Sequence, residues 1–556
     1  MSWTGIKITQ ALFHKRIRSA TGTMLNQLQD VDGKLRRELE RTLQRVSSSD
    51  EACLLLGETE WGFPVSLPLS KLIAHSLVVG TTGAGKSYVA LLFLNHALEQ
   101  FGSGSCVPIG IVDAKGELAA KAIEYVYAHA SKMSKEEREP LRNRIFIIDF
   151  SKNDWVTPYN ILSCRGVPAE LVVNNRIETI SQIYNGPSGL TARMKSILKY
   201  FLLLLIEHNL PITMFDRLCN DSDTLGNLAS KSKDVRLRHY FLHRFPKEPK
   251  GTIFGLRQRI DSLFVSDGVR LSLSASSSPD FQRLQDDGYF VIINVAGPHI
   301  SRGTSEFLIR VILSDIQQSV FRRRNPENKY LWCLDEAQVL YKHHTSRENM
   351  NDLLTMARSF GSSFMLLTQS LTSAVHDTDI LNSVLANIRW VLMFRSTLKD
   401  AKIIAPAIPV TGAMLNSKRH PFEAQKLLTK DQEFNVRLED ITHFPERTGY
   451  LWLRSDLPKA IKLRTQLLAL PEEIAESIPE HFARFVQEHK IGNLIPRRQI
   501  EKELRELEAR VLSASKESAR GANADAATKP GLEDFIQSLK ETYAKKTGPR
   551  KNHETR

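Results

Sequence analysis

Apolar residues follow two different rhythms along this chain. From residue 75 onward, short and nearly unbroken hydrophobic runs alternate with longer stretches of helical spacing. The runs cover 76–80, 109–113, 145–149, 289–294, 330–335, 364–368 and 390–394. Hydrophobic residues at successive rather than alternate positions are what a strand buried on both faces requires. Their alternation with helices predicts βαβ units wound into a parallel sheet, an α/β fold. Ahead of this region, residues 1–48 read as a polar helical extension, with Leu25, Leu28, Val31, Leu35, Leu39 and Leu43 at helix-like spacing. Two β-like stretches follow, Cys53–Gly57 and Pro64–Pro68. Between about 165 and 280 the strand signal vanishes and helical spacing dominates, as in Met194–Leu205, which predicts an inserted all-α subdomain. Arg497–Leu512 places Ile500, Leu504, Leu507 and Val511 on one helix face. Ser513–Gly531 has the composition of a flexible linker, and Leu532, Phe535, Ile536 and Leu539 mark a last short amphipathic helix. The expected division is 1–48 helical extension, 49–164 with 281–470 α/β core, 165–280 helical insertion, 471–513 helical region and 514–556 linker with tail helix.

Charge sharpens this picture. The 556 residues carry a formal net charge of +13, which favours a polyanionic partner. Lys231, Lys233, Arg236, Arg238, Arg244, Lys247, Lys250, Arg257 and Arg259 concentrate basic charge in the helical insertion, with Tyr240, Phe241 and Phe245 interleaved. Such a stretch is either a sequence-independent grip on DNA phosphates or a solvated helical face, since Asp234, Glu248 and Asp261 lie there too. No base-reading module is present, and Arg322–Arg324 reads as cations closing a helix. The five cysteines, Cys53, Cys106, Cys164, Cys219 and Cys333, form no CxxC pair or Cys/His cluster. That argues against structural zinc and for a reducing compartment. The first twenty residues lack a continuous apolar segment, and the run Phe201–Ile206 is far too short to span a bilayer. The expectation is a cytoplasmic protein.

The chemistry is carried by Gly80, Thr81, Thr82, Gly83, Ala84, Gly85, Lys86 and Ser87, a complete Walker A pattern between an apolar strand and a helix. Glycines let the backbone wrap so that successive N–H groups face phosphate oxygens. Lys86 brings a cation to the β- and γ-phosphates of ATP, and Ser87 is a ligand for Mg²⁺. The run 331–334 ends in Asp335 and Glu336. Asp335 is the second metal-side candidate, and Glu336 is the candidate general base for water. Gln369, closing the next run, is placed to touch both the water and the γ-phosphate.

In this order the motifs resemble the HerA/FtsK superfamily of ring-forming ATPases, and most of all the type IV secretion coupling proteins and HerA-like helicases. The resemblance extends over about residues 52–470. It is carried by Gly62–Val65, His75 and the P-loop, Asp113–Glu117, Thr157–Leu162, Asp335–Glu336, Ala357–Gly361, Thr368–Ser370 and Ala386–Arg389. It implies a RecA-like core, a homo-oligomer that is usually hexameric, ATP at subunit seams and DNA as cargo. By resemblance Arg358 is the arginine finger, with Arg389 and Arg395 as rivals. The family's membrane-anchored members begin with transmembrane helices, which this sequence does not show, and Ala114 stands where proline is common. Two other functions share the motifs: an ATPase that moves a protein, and a nucleotide-gated scaffold such as one in anti-phage defence. The tail helix is a candidate docking peptide for a protein partner.

Overall fold

A computed structural model describes residues 34, 36–47, 51–184, 189–341, 344–372, 375, 378–410, 428–468 and 494–526. The strands are β1 Cys53–Thr59, β2 Pro64–Pro68, β3 Ser76–Val79, β4 Ile109–Asp113, β5 Ile145–Asp149, β6 Trp155–Val156, β7 Phe290–Asn294, β8 Tyr330–Leu334, β9 Ser362–Thr368, β10 Trp390–Met393, β11 Thr448–Leu453, β12 Ile461–Thr465 and β13 Ile495–Pro496. Eleven of them form one sheet in the order β2-β1-β12-β11-β10-β3-β9-β8-β4-β7-β5. From β10 to β5 every pairing is parallel. From β10 to β2 every pairing is antiparallel. The expected α/β fold with a parallel sheet is therefore what the chain adopts, and each of the seven hydrophobic runs became one of its parallel strands. The antiparallel wing was only half anticipated. β1 and β2 match the β-like stretches, whereas β11 and β12 went unread.

The sheet is buried on both sides. Successive residues of one strand divide between two cores: Tyr330, Trp332 and Leu334 of β8 face one, Leu331 and Cys333 the other. The second core is closed by the helices Lys86–Glu99 and Glu117–Lys132. Packing is close enough to fix residue choice. A Cβ at Gly110 in β4 would lie 2.2 Å from the Trp332 ring on β8, so only glycine fits there.

Between β6 and β7 the described residues are helical, from Ala169–Ile183 to Phe281–Asp286. Thr191 caps the helix Ala192–Glu207 by accepting from the Met194 N–H at 3.2 Å, satisfying an otherwise orphaned donor. Phe201, at the centre of that helix, meets Phe215, Phe241 and Phe245 edge-on with ring centroids about 5 Å apart. Tyr240 stacks on Tyr200 at 3.8 Å.

One open reading narrows and two expectations need correction. Tyr240 and Phe241 are buried and Phe245 packs on the same core, so these three aromatics interleaved with the basic residues are core, while Phe254 of the same stretch is 60% exposed. Helical spacing turns them inward while the cations at intervening positions stay outside. Arg323 does more than close a helix. Its buried guanidinium binds Asp286 at 3.1 Å, the Ser362 hydroxyl and the backbone carbonyls of Asn325 and Asn328. Finally, the helix that opens at Arg497 runs to Ala526, through most of the stretch read as linker. Along it, Ile500 is buried in a small core with Val156, Leu271 and Ala275. In the N-terminal extension, Leu39 and Leu43 of the helix 36–47 are buried. Leu25, Leu28, Val31 and Leu35, and the tail helix 532–539, lie outside the described residues. Among the described residues no helix is long and apolar enough to cross a membrane.

Candidate active site

Parallel pairing brings the ends of β3, β4, β8, β9 and β10 to one edge of the sheet, where ligands of such folds bind. β9 lies between β3 and β8, so the P-loop and the Asp335–Glu336 pair flank Gln369 at the end of β9.

The P-loop is held by its neighbours on both sides. The Gly80 N–H donates to the Thr368 carbonyl at 3.1 Å, and the Thr81 N–H to the Arg395 carbonyl at 2.8 Å. Gly83 and Gly85 have φ of +75° and +111°, values that favour glycine. Beyond Gly85 the helix begins at Lys86, which leaves backbone N–H groups and the positive end of the helix dipole facing the loop. The Lys86 side chain is buried and folds back onto the Gly80 and Thr81 carbonyls at 2.7 and 3.2 Å. Burial lowers its pKa; Asp335 and Glu336 oppose the shift, and Lys115 adds to it. Arg447, itself at φ +62°, donates its N–H to the Ala84 carbonyl at 2.9 Å. Its Cγ would lie 3.1 Å from a Cβ at Gly85, so the antiparallel wing presses directly on the loop.

Asp335 is pushed up to about 7 by burial, then by the charges of Asp113 and Glu336. A half-buried carboxylate crowded by two others suits a cation, and a hydroxyl and a carboxylate are the hard oxygen donors Mg²⁺ takes. Among the described residues no group of three or more His, Cys, Asp or Glu forms a ready metal site. The Ser87 hydroxyl and the Asp335 carboxylate are donors of the kind that would hold such an ion.

Glu336 has φ of +53°, a strained setting for a non-glycine residue of the kind found at functional sites. Its Oε1 accepts from Gln369 Nε2 at 2.9 Å and pairs with Lys115 Nζ; its Oε2 accepts from Gln338 Nε2. Gln338 in turn accepts from the Thr368 hydroxyl at 2.7 Å. Burial raises the Glu336 pKa, but the hydrogen bonds from Lys115, Gln369 and Gln338 and the Lys115 charge outweigh it and hold the carboxylate below its usual range. Lys86, Ser87, Asp335, Glu336 and Gln369 thus share one edge. Sequence reading missed Lys115, Gln338 and Arg447 as members of that edge. Lys115 had a visible signal, its place in the turn directly after a buried strand.

The three arginine candidates separate. Arg358 sits in the turn Ala357–Phe360 before β9, exposed, at the opposite edge of the sheet from the P-loop. The His75 ring is buried at that end of β3 and accepts from the Phe364 N–H at 3.1 Å. Burial and then the Arg358 charge lower its pKa to about 3. Arg389, also at that edge, is tied to Asp456 at 3.3 Å. Arg395 follows β10 and donates to the Thr81 hydroxyl of its own P-loop at 3.2 Å.

No curated protein matches the chain by sequence. Among solved structures, the bacterial conjugative coupling protein TrwBdeltaN70 aligns with a TM-score of 0.47 at 14% identity, over 78% of this chain and 94% of that one. The plasmid coupling protein TrwB in complex with ADP and Mg²⁺ aligns with 0.46 at 15% identity, over 78% and 93%. VirB4 of Thermoanaerobacter pseudethanolicus aligns with 0.45 at 13% identity, over 77% and 99%. From β1 through the P-loop to the helix Ala169–Ile183, residues 53–184 match the family model described as Helicase HerA, central domain, the resemblance that the motifs of this stretch carry.

Proposed function

We propose that this protein is an ATP-driven motor that moves DNA, working as a ring with ATP at each subunit seam. The observation that carries the reading is the meeting, at one sheet edge, of a Walker A loop with a half-buried Asp335, a buried Glu336 and a glutamine bonded to that glutamate. In the cycle, the loop N–H groups and Lys86 hold the β- and γ-phosphates. Ser87 and Asp335 would hold Mg²⁺, which when bound would neutralise charge building on the phosphoryl oxygens. Glu336 orients the attacking water and accepts its proton, and Gln369 links that carboxylate to the end of β9. Arg358 is too far round the sheet to serve its own nucleotide, and its exposure supports a role toward the nucleotide of a second copy. Several exposed cations on the helical block, Lys247 and Lys250 among them, support a sequence-independent hold on phosphates.

The test is ATP hydrolysis by the purified protein at low salt, with and without duplex or single-stranded DNA, beside Lys86→Ala. Stimulation by DNA that Lys86→Ala abolishes is the expected result. Hydrolysis indifferent to DNA, with no DNA binding at low salt, overturns the DNA motor in favour of a protein-moving ATPase or a nucleotide-gated scaffold.

A further inference from the structure

Lys115 has no part in the roles given to the motif residues, yet its ammonium sits on the carboxylate that would handle the attacking water. Its position is fixed by a built turn. The Asp113 carboxylate, at the end of β4, accepts the Lys115 N–H at 2.7 Å and the Ala119 N–H at 2.8 Å. Gly116, at φ +88°, then turns the chain into the helix Glu117–Lys132. The Lys115 side chain is 42% exposed while that of Glu336 is 9% exposed, so a mobile arm reaches from solvent onto a buried carboxylate.

Held this way, Glu336 is a poor partner for water. Lys115, Gln369 and Gln338 take three of its roughly four acceptor positions. Lys86 is idle as well, folded onto two carbonyls of its own loop. Two ammonium groups thus border the space above the P-loop, each occupied by a protein oxygen. A terminal phosphate brings more negative charge to that space than a single carboxylate, and charge-assisted bonds to phosphate are strong.

We propose that Lys115 senses the γ-phosphate: it holds Glu336 in the nucleotide-free site and transfers to the terminal phosphate when a triphosphate binds, which frees Glu336 to accept a hydrogen bond from water. No covalent bond is made or broken in this step. It rests on the reading of the site as one for ATP. Lys115 thereby makes the base available only when there is a γ-phosphate to attack.

Binding of ADP and of β,γ-imido-ATP, both with Mg²⁺, to the full chain tests this. Lys115→Met should weaken the imido analogue about tenfold or more, the worth of one charged hydrogen bond, and leave ADP unchanged. Lys115→Arg should restore most of the loss. Glu336→Gln, which weakens the competitor for Lys115, should tighten the analogue, and adding Lys115→Met should remove that gain. Equal loss for both nucleotides, or no loss for either, overturns the proposal. Unchanged ADP binding shows in the same experiment that the variant has folded. If the unaltered protein binds neither nucleotide, or Lys86→Ala binds both as well, the ATP-site reading fails and the sensor with it.

Discussion

The P-loop edge of the sheet and the helical block between β6 and β7 handle charge in opposite ways. At the P-loop edge, charged and polar groups are drawn inward. Lys86 and Glu336 are each 8% exposed, Asp113 is fully buried, and each is held by named partners. In the basic stretch 231–259 of the helical block the cations stay at or near the surface and settle with local partners: Arg236 with Asp234, Arg257 with Asp216, Arg244 over the Tyr240 ring. What is drawn inward there is aromatic. A buried charge is expensive unless paired, so a site that keeps several of them must use them together. An exposed charge costs little and can be spent one at a time. The first region should therefore fail abruptly when one member is lost, and the second by small steps.

The largest effect should come from Glu336→Gln, measured as kcat for ATP. Loss of a general base costs about a hundredfold or more, while nucleotide binding persists. A turnover number within severalfold of the unaltered protein would make the buried carboxylate structural and erase the contrast. Next comes Phe201→Ala in the aromatic core of the helical block. Removing a fully buried phenyl ring costs about 3–5 kcal/mol, visible as a lower denaturation midpoint. Here the block should break as sharply as the P-loop edge, which locates its cooperativity inside rather than on its charged face. The smallest effect should come from Lys247→Ala combined with Lys250→Ala. The pair should leave hydrolysis without DNA untouched, weaken DNA binding, and reduce the slope of log affinity against log salt by about two. An unaltered slope would move the DNA contact elsewhere and leave the basic ridge as a solvated face.

The same contrast explains what could be read from the sequence. The seven parallel strands were legible because strands buried on both faces leave unbroken hydrophobic runs. β12 was not, because its inner and outer positions alternate: Lys462 and Arg464 look outward between buried Ile461, Leu463 and Thr465. β11, with Gly449, Tyr450 and Leu451 buried in succession, went unread although it is buried like the parallel strands. Lys86, Ser87, Asp335, Glu336 and Gln369 were legible because a parallel strand delivers whatever follows its last residue to the same edge. Lys115 belongs to that edge too, but its partner Glu336 is set by which strands lie side by side, and β4 beside β8 is a fact of topology. In the helical block, composition misled. Cations and aromatics that alternate in the chain part company on a helix, because neighbours in sequence point to different faces.

The place of β9 has a consequence for how the chain is made. β3 carries the P-loop, and its two neighbours in the sheet are β9 and β10, which begin only at Ser362 and Trp390, long after β3 ends at Val79. A growing chain that has already released Lys86 has no strand to lay beside β3 until Ser362 emerges. Both edges of β3 must wait, shielded by something other than the strands that will pair with them. Nascent chains halted before Ser362 should therefore be open to protease around residues 76–87, and chains halted after Arg395 should be protected.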